Sequence, residues 1–156
     1  MFLITKTHFM LFAGVLLSLL TAPVFARDKD NMDTFTDVIA HDAWIREAPP
    51  SIRVLAGYLK LENKTGYDIR LLRANSPDFM HVEIHQMAIE GGVARMTELR
   101  ELMIPPYQTI SLLPGGLHLM MMGSKKALKQ GDKVKVTLYF SHGAPLFLDM
   151  EVKKSF

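Results

Sequence analysis

The 156-residue chain contains no cysteine. This absence excludes disulfides, thiolate catalysis, cysteine-held iron–sulfur clusters and blue-copper electron transfer, because each of these needs a cysteine side chain. It also leaves no cysteine to which a lipid could be attached behind an apolar leader. Methionine is abundant instead, with 11 residues. Since methionine often serves as adaptable core filler, this count by itself indicates no function.

The chain has little net charge, with 18 basic and 16 acidic residues, and no segment concentrates the basic ones. Nucleic-acid binding requires a basic surface that neutralises phosphates, so nucleic acid is not an expected partner. The sequence also lacks paired carboxylates, a glycine-rich phosphate loop and a Ser-His-Asp arrangement. We therefore do not expect an enzyme.

No apolar run reaches the roughly 20 residues that a transmembrane helix needs. The longest run, residues 9–20, follows Lys6 and precedes the small-residue cleavage site Val24-Phe25-Ala26. This order predicts a signal peptide at residues 1–26 and export to the periplasm, with retention as an uncleaved anchor as the alternative. Residues 27–35 are polar and are predicted to form a flexible lead-in. No membrane insertion is expected after cleavage.

Residues 36–156 are predicted to form a single all-β domain. Short β-branched and aliphatic runs alternate with turn segments such as Asn63–Gly66 and Pro114–Gly116, which is typical of a β-sandwich or barrel. The only segment with helical character is 124–130, which Gly131 would end. The predicted strands are 36–41, 44–46, 53–62, 67–74, 81–90, 93–100, 109–113, 117–122, 133–140 and 145–152.

His85, Met96, His118 and Met120 form the most informative pattern in the sequence. Ten residues lie between the first two, 21 between the second and third, and one between the last two. Imidazole and thioether are uncharged donors that suit Cu(I). In a chain without cysteine, this combination predicts a protein that handles copper outside the cytoplasm.

The glycines Gly91 and Gly92 separate two alternating runs, which predicts a tight two-residue hairpin. In that register Met87 faces Met96, and His85 lies on the same strand face as Met87. Cross-strand neighbours have Cβ atoms about 4.5–5.5 Å apart, so these side chains can reach one ion. Val93 and Leu99 of the second strand are expected to enter the core.

The later strand places His118, Met120 and Met122 on one face, because side chains alternate with a period of two. The two faces are therefore predicted to converge in one shallow nitrogen and sulfur site. Whether Met87 or Met122 also binds the ion stays open. We interpret Met103 and Met150 as packing residues. Three other histidines are not part of this grouping of His and Met on predicted common faces and are interpreted as ordinary polar residues: His41, His81 and His142.

The spacing of the four donors resembles the signature of the PCu(A)C family of periplasmic copper chaperones. Flanking segments are similar as well, including Ala43–Arg46 and Pro114–Met120, and the likeness extends over residues 36–152. The resemblance implies a cupredoxin-like Greek-key β-sandwich that binds Cu(I), with His85, Met96, His118 and Met120 as ligands. It also implies copper delivery to the binuclear centre in subunit II of cytochrome c oxidase, alongside Sco-type thiol proteins.

The chain departs from the family pattern at three places. Gly91 stands where members often carry Asp or Asn, and Pro106 adds a second proline after Ile104-Pro105. Some members carry a C-terminal His/Met-rich extension that binds Cu(II), whereas this sequence ends at Lys153–Phe156. A Cu(II) site of that kind is therefore not expected.

Two rival functions remain open at the level of sequence. A copper-buffering or resistance protein would use the same site without an oxidase client. A β-sandwich protein-interaction module would present its methionine face to a protein partner and would take up no copper.

Overall fold

The computed structural model describes residues 37–154, so the predicted signal peptide and lead-in lie outside the described residues. The described part contains ten strands and no helix, and therefore no helix long and apolar enough to cross a membrane. The strands are β1 (Val38–Arg46), β2 (Val54–Asn63), β3 (Ile69–Asn75), β4 (His81–Glu90), β5 (Val93–Leu99), β6 (Leu102–Ile104), β7 (Thr109–Leu112), β8 (Leu117–Met122), β9 (Lys133–Phe140) and β10 (Leu146–Lys153).

The strands hydrogen-bond in the order β5-β4-β8-β2-β1-β10-β9-β3-β6, and β7 pairs with β2. The pairing of β1 with β10 is parallel, and the other pairings are antiparallel. The folded-over sheet forms the predicted cupredoxin-like β-sandwich. One edge of β2 pairs with β8 along its first half and with β7 along its second half.

The core lies between the two layers and determines which face of β4 and β8 is free to carry chemistry. Ile84 pairs with Leu119, and both are buried, as is the next inward residue of β8, Met121. Complete burial of each such side chain contributes about 1.5–3 kcal/mol to folding. Because side chains alternate across a strand, the opposite face presents the residues between them, including His85 and His118.

Asn63 fixes the turn that follows β2, where the sequence predicted one. Its side chain is fully buried and donates to the carbonyls of Tyr67, Ile104 and Pro105 at 2.7, 2.9 and 3.1 Å. The side chain therefore ties the β2–β3 turn to the end of β6.

Several boundaries differ from the predicted ones. The two predicted segments around residue 42 form one strand, β1, which has an irregularity where Asp42 takes a φ of 52°. The short strand β6 was not predicted.

The helical turn predicted at 124–130 is wrong, because its first amides bond outward instead of along the segment. Ser124 donates to Arg53 O, and Lys125 donates to Asp78 O.

Candidate metal centre

The hairpin of β4 and β5 has the predicted register. Met87 pairs with Met96, His85 pairs with Glu98, and Glu90 pairs with Val93. The two loop glycines both have positive φ, 59° and 78°, which is what a tight two-residue hairpin of this kind requires. The prediction that Val93 enters the core is wrong, since the hairpin tip extends beyond the sandwich and this side chain is 60% exposed.

Strand β8 pairs with the other side of β4 and brings the second half of the predicted site to the first. His85 lies directly opposite His118, and their ring centroids are 5.9 Å apart. Met120 lies opposite Glu83, one same-face row from the histidine pair. Met96 lies one row away in the other direction. All four predicted residues therefore occupy neighbouring positions on one face of three adjacent strands.

Hydrogen bonds determine which nitrogen of each histidine is free. Nε2 of His85 lies 2.9 Å from Oε2 of Glu83, and Nδ1 of His118 lies 3.0 Å from the carbonyl oxygen of Gly116. Both partners are acceptors, so these ring nitrogens carry the protons in the neutral rings. The lone pairs remain on Nδ1 of His85 and Nε2 of His118. Nδ1 of His85 is buried and has no hydrogen-bond partner.

This orphaned nitrogen fits a metal ligand. A buried polar atom without a partner is costly, and a bound ion would remove that cost. Holding the other ring nitrogen with a carboxylate or a carbonyl is the arrangement commonly found behind metal-binding histidines. The donor chemistry of this face therefore suits a soft monovalent ion.

The site is closed on one side and open on the other. His118 is only 7% exposed, and the centroid of the Tyr58 ring lies 6.5 Å from that of its ring. The ring of Trp44 contacts Tyr58 in a tilted arrangement, with centroids 4.8 Å apart. Met96 is 50% exposed and belongs to β5, an edge strand that pairs only with β4. The aromatic side protects the histidines from water, and the methionine side is accessible to other molecules.

Two histidines outside the site form hydrogen bonds with polar side chains, and the two methionines predicted to be packing residues differ in burial. His41 bonds to Glu62 at 2.9 Å, and the hydrogen bonds from Lys64 and then from His41 hold the pKa of the Glu62 carboxyl below its ordinary value. His142 bonds to its neighbour Ser141. Met150 is buried, as expected of a packing residue, whereas Met103 is half exposed.

His81 was interpreted as an ordinary polar residue because no predicted register placed it opposite a methionine. The structure places it directly opposite Met122. The pairing of β4 with β8 could have revealed this neighbour, but 26 residues separate these strands in the chain and leave their register undetermined by any turn. Among the described residues, no group of three or more His, Asp or Glu side chains could hold a metal ion.

Comparison with known sequences connects this site to a family. The sequence profile of the family described as "Putative lipoprotein LpqE-like" matches residues 38–152, which is most of the chain. A putative lipoprotein of Leifsonia xyli subsp. xyli is 31% identical over 112 residues, covering 71% of this chain. The match spans 66% of that relative, slightly less than two thirds of its length.

Comparison with solved structures shows the same fold in other proteins. The solution structure of CuI-DR1885 from Deinococcus radiodurans superposes with a TM-score of 0.63 and 33% identity, covering 83% of this chain and 86% of that one. The copper-bound PCuAC domain from PmoF2 has a TM-score of 0.66 at 20% identity, covering 76% and 94%. The second likeness is one of fold alone.

Proposed function

Because the chain belongs to the LpqE-like family, which is related to the PCu(A)C proteins, we propose that it is a copper chaperone of the cell envelope. Its cargo is Cu(I), and the ligands are His85, Met96, His118 and Met120. The role is binding and transfer without catalysis.

One observation supports this proposal most strongly: the buried, unpartnered Nδ1 of His85 belongs to the same sheet face as the other three proposed ligands. These are Met96, His118 and Met120. Two imidazoles and two thioethers form an uncharged ligand set that favours Cu(I) over harder ions. The copper-bound PCuAC domain from PmoF2 and CuI-DR1885 from Deinococcus radiodurans support the choice of metal.

The arrangement also suits release of the ion. Met96 is half exposed on an edge strand. A ligand side chain of the protein that receives the copper can therefore approach from that side and replace the thioether of Met96 first. The histidines lie deeper, beside Tyr58, and would be replaced last. Stepwise exchange avoids releasing a free ion, because each new metal–ligand bond forms before the bond that it replaces breaks.

For the recipient we propose the binuclear copper site in subunit II of cytochrome c oxidase, reached in the periplasm together with Sco-type proteins. Deleting the gene tests this choice. Loss of oxidase activity in copper-limited cells, restored by added copper, is the expected result. Copper sensitivity with normal oxidase activity would instead identify a buffering protein without an oxidase client.

Copper binding is tested by anaerobic titration of the purified exported protein with Cu(I) against a chromophoric chelator. Wild type is expected to compete for the ion, and His118→Ala to compete much more weakly. His41→Ala is the matched control, because His41 is bonded to Glu62 and has no thioether opposite it. A wild-type protein that takes up no Cu(I) would contradict the proposal and favour a protein-interaction module.

A further inference from the structure

The outward face of β4 and β8 continues beyond the candidate metal centre as a series of cross-strand rows. The first row is His85 with His118, the next is Glu83 with Met120, and the third is His81 with Met122. Same-face rows are about 6.6–6.8 Å apart along the strands. The third row combines an imidazole with a thioether, and it lies two rows from the histidine pair, a distance that one ion cannot span.

Met80 adds another thioether to this end of the ladder. Its backbone N–H donates to the carbonyl of Met122 at 3.0 Å, and its Sδ lies over Gly123, 2.8 Å from the position that a Cβ would occupy. Because Gly123 has no side chain, the sulfur of Met80 can lie against the backbone of this residue, which directly follows Met122. The Met80 side chain is 69% exposed, so its thioether is accessible to an ion from solvent.

The third row is accessible from solvent. His81 is exposed, and no hydrogen bond joins its ring to another of the described residues. An open cleft of about 530 Å³ has Met80, His81 and Glu83 in its wall. An ion arriving through this cleft would meet the imidazole of His81 and the thioether of Met80.

We propose that His81, Met122 and Met80 form a second Cu(I) site, and that Met120 connects it to the first. This inference rests on the proposed function, since it needs the first site as its destination or source. Met120 lies between the two histidine-bearing rows and is diagonal to His81 across the ladder. Copper stays monovalent throughout, and each transfer replaces one donor by another without proton or electron movement.

The test is the number of Cu(I) equivalents that the purified exported protein binds under anaerobic conditions. Wild type is expected to bind two, the second more weakly. The double variant His81→Ala/Met122→Leu is expected to bind only the tighter one, and His85→Ala/His118→Ala only the weaker one. The matched control is His41→Ala/Met103→Leu, which removes an exposed histidine and a half-exposed methionine elsewhere and should still bind two.

A second readout follows the side chains directly. In a protein with labelled methionine methyl groups, the second equivalent of Ag(I), used as a redox-silent probe, should shift the Met80 and Met122 resonances. Wild type that binds one equivalent, or a His81→Ala/Met122→Leu variant that still binds two, overturns the second site alone. Wild type that binds none overturns the proposed function together with it.

Discussion

At the scale of single residues, the proposed metal centre depends on two hydrogen-bond acceptors that are not themselves ligands of the ion. Glu83 accepts from Nε2 of His85, and the Gly116 carbonyl accepts from Nδ1 of His118. These two acceptors leave a lone pair on the remaining nitrogen of each ring. Sequence spacing identified the histidines, but it contained no information on which nitrogen is free, because that depends on hydrogen bonds within the folded sheet.

We predict that Glu83→Leu weakens Cu(I) binding by roughly 10–100-fold, the usual effect of removing a group that orients a ligand histidine. Glu83→Gln should weaken it less, because its amide oxygen can still accept the proton of Nε2. Nitrogen chemical shifts of His85 in the metal-free protein should show a mixture of tautomers only in the leucine variant.

Glu98→Leu is the matched control, since Glu98 faces His85 across the hairpin without a hydrogen bond to it. If this variant loses as much affinity as Glu83→Leu, local charge and not ring orientation is the cause.

At the scale of elements, the β4–β5 hairpin places Met96 beside His85, and its two-glycine turn sets the register. Gly91 and Gly92 have positive φ, and a Cβ on either would meet no atom within 4 Å. Substitutions here therefore act only through backbone conformation.

Gly91→Asn should stabilise the protein by up to about 0.4–1 kcal/mol, because asparagine tolerates this conformation and restricts the unfolded chain. Gly91→Ala should destabilise it by about 1–2 kcal/mol, because alanine is strained at positive φ. Urea unfolding of the three proteins measures both changes. Equal stability of the alanine and asparagine variants would show that the turn is not held at positive φ.

The predicted and observed strand pairings differ in a way that shows what the sequence could and could not predict. A two-residue loop leaves one register, so the pairing of Met87 with Met96 followed from the glycines alone. The pairing of β4 with β8 has no such short loop, so the neighbour of His81 was missed. Residues 124–130 were predicted as a helical turn because their amide partners, the carbonyls of Arg53 and Asp78, are distant in sequence.

At the scale of the whole molecule, one sheet face packs in the core and the other carries the proposed copper ligands. Met121 is completely buried in the core, whereas Met96 is half exposed at the sheet edge. Packing in the core and the proposed copper binding therefore use different methionines, although the sequence alone does not distinguish them.

We predict that Met121→Ala lowers the free energy of unfolding by about 2–5 kcal/mol, since it leaves a cavity in the core. At a temperature where it stays folded, this variant should keep its copper affinity. Met96→Ala should change stability by less than about 0.5 kcal/mol, as an exposed position does, and should weaken Cu(I) binding. Thermal unfolding and chelator competition on the same samples measure the two effects, and a Met96→Ala variant that binds like wild type would remove Met96 from the ligand set.

The most direct test of the central claim is X-ray absorption at the copper edge of the protein loaded with one equivalent of Cu(I). We predict both nitrogen and sulfur neighbours around the copper, with the nitrogen contribution reduced in His118→Ala and the sulfur contribution reduced in Met96→Leu. A spectrum with nitrogen or oxygen neighbours alone, or one that neither substitution changes, would contradict it.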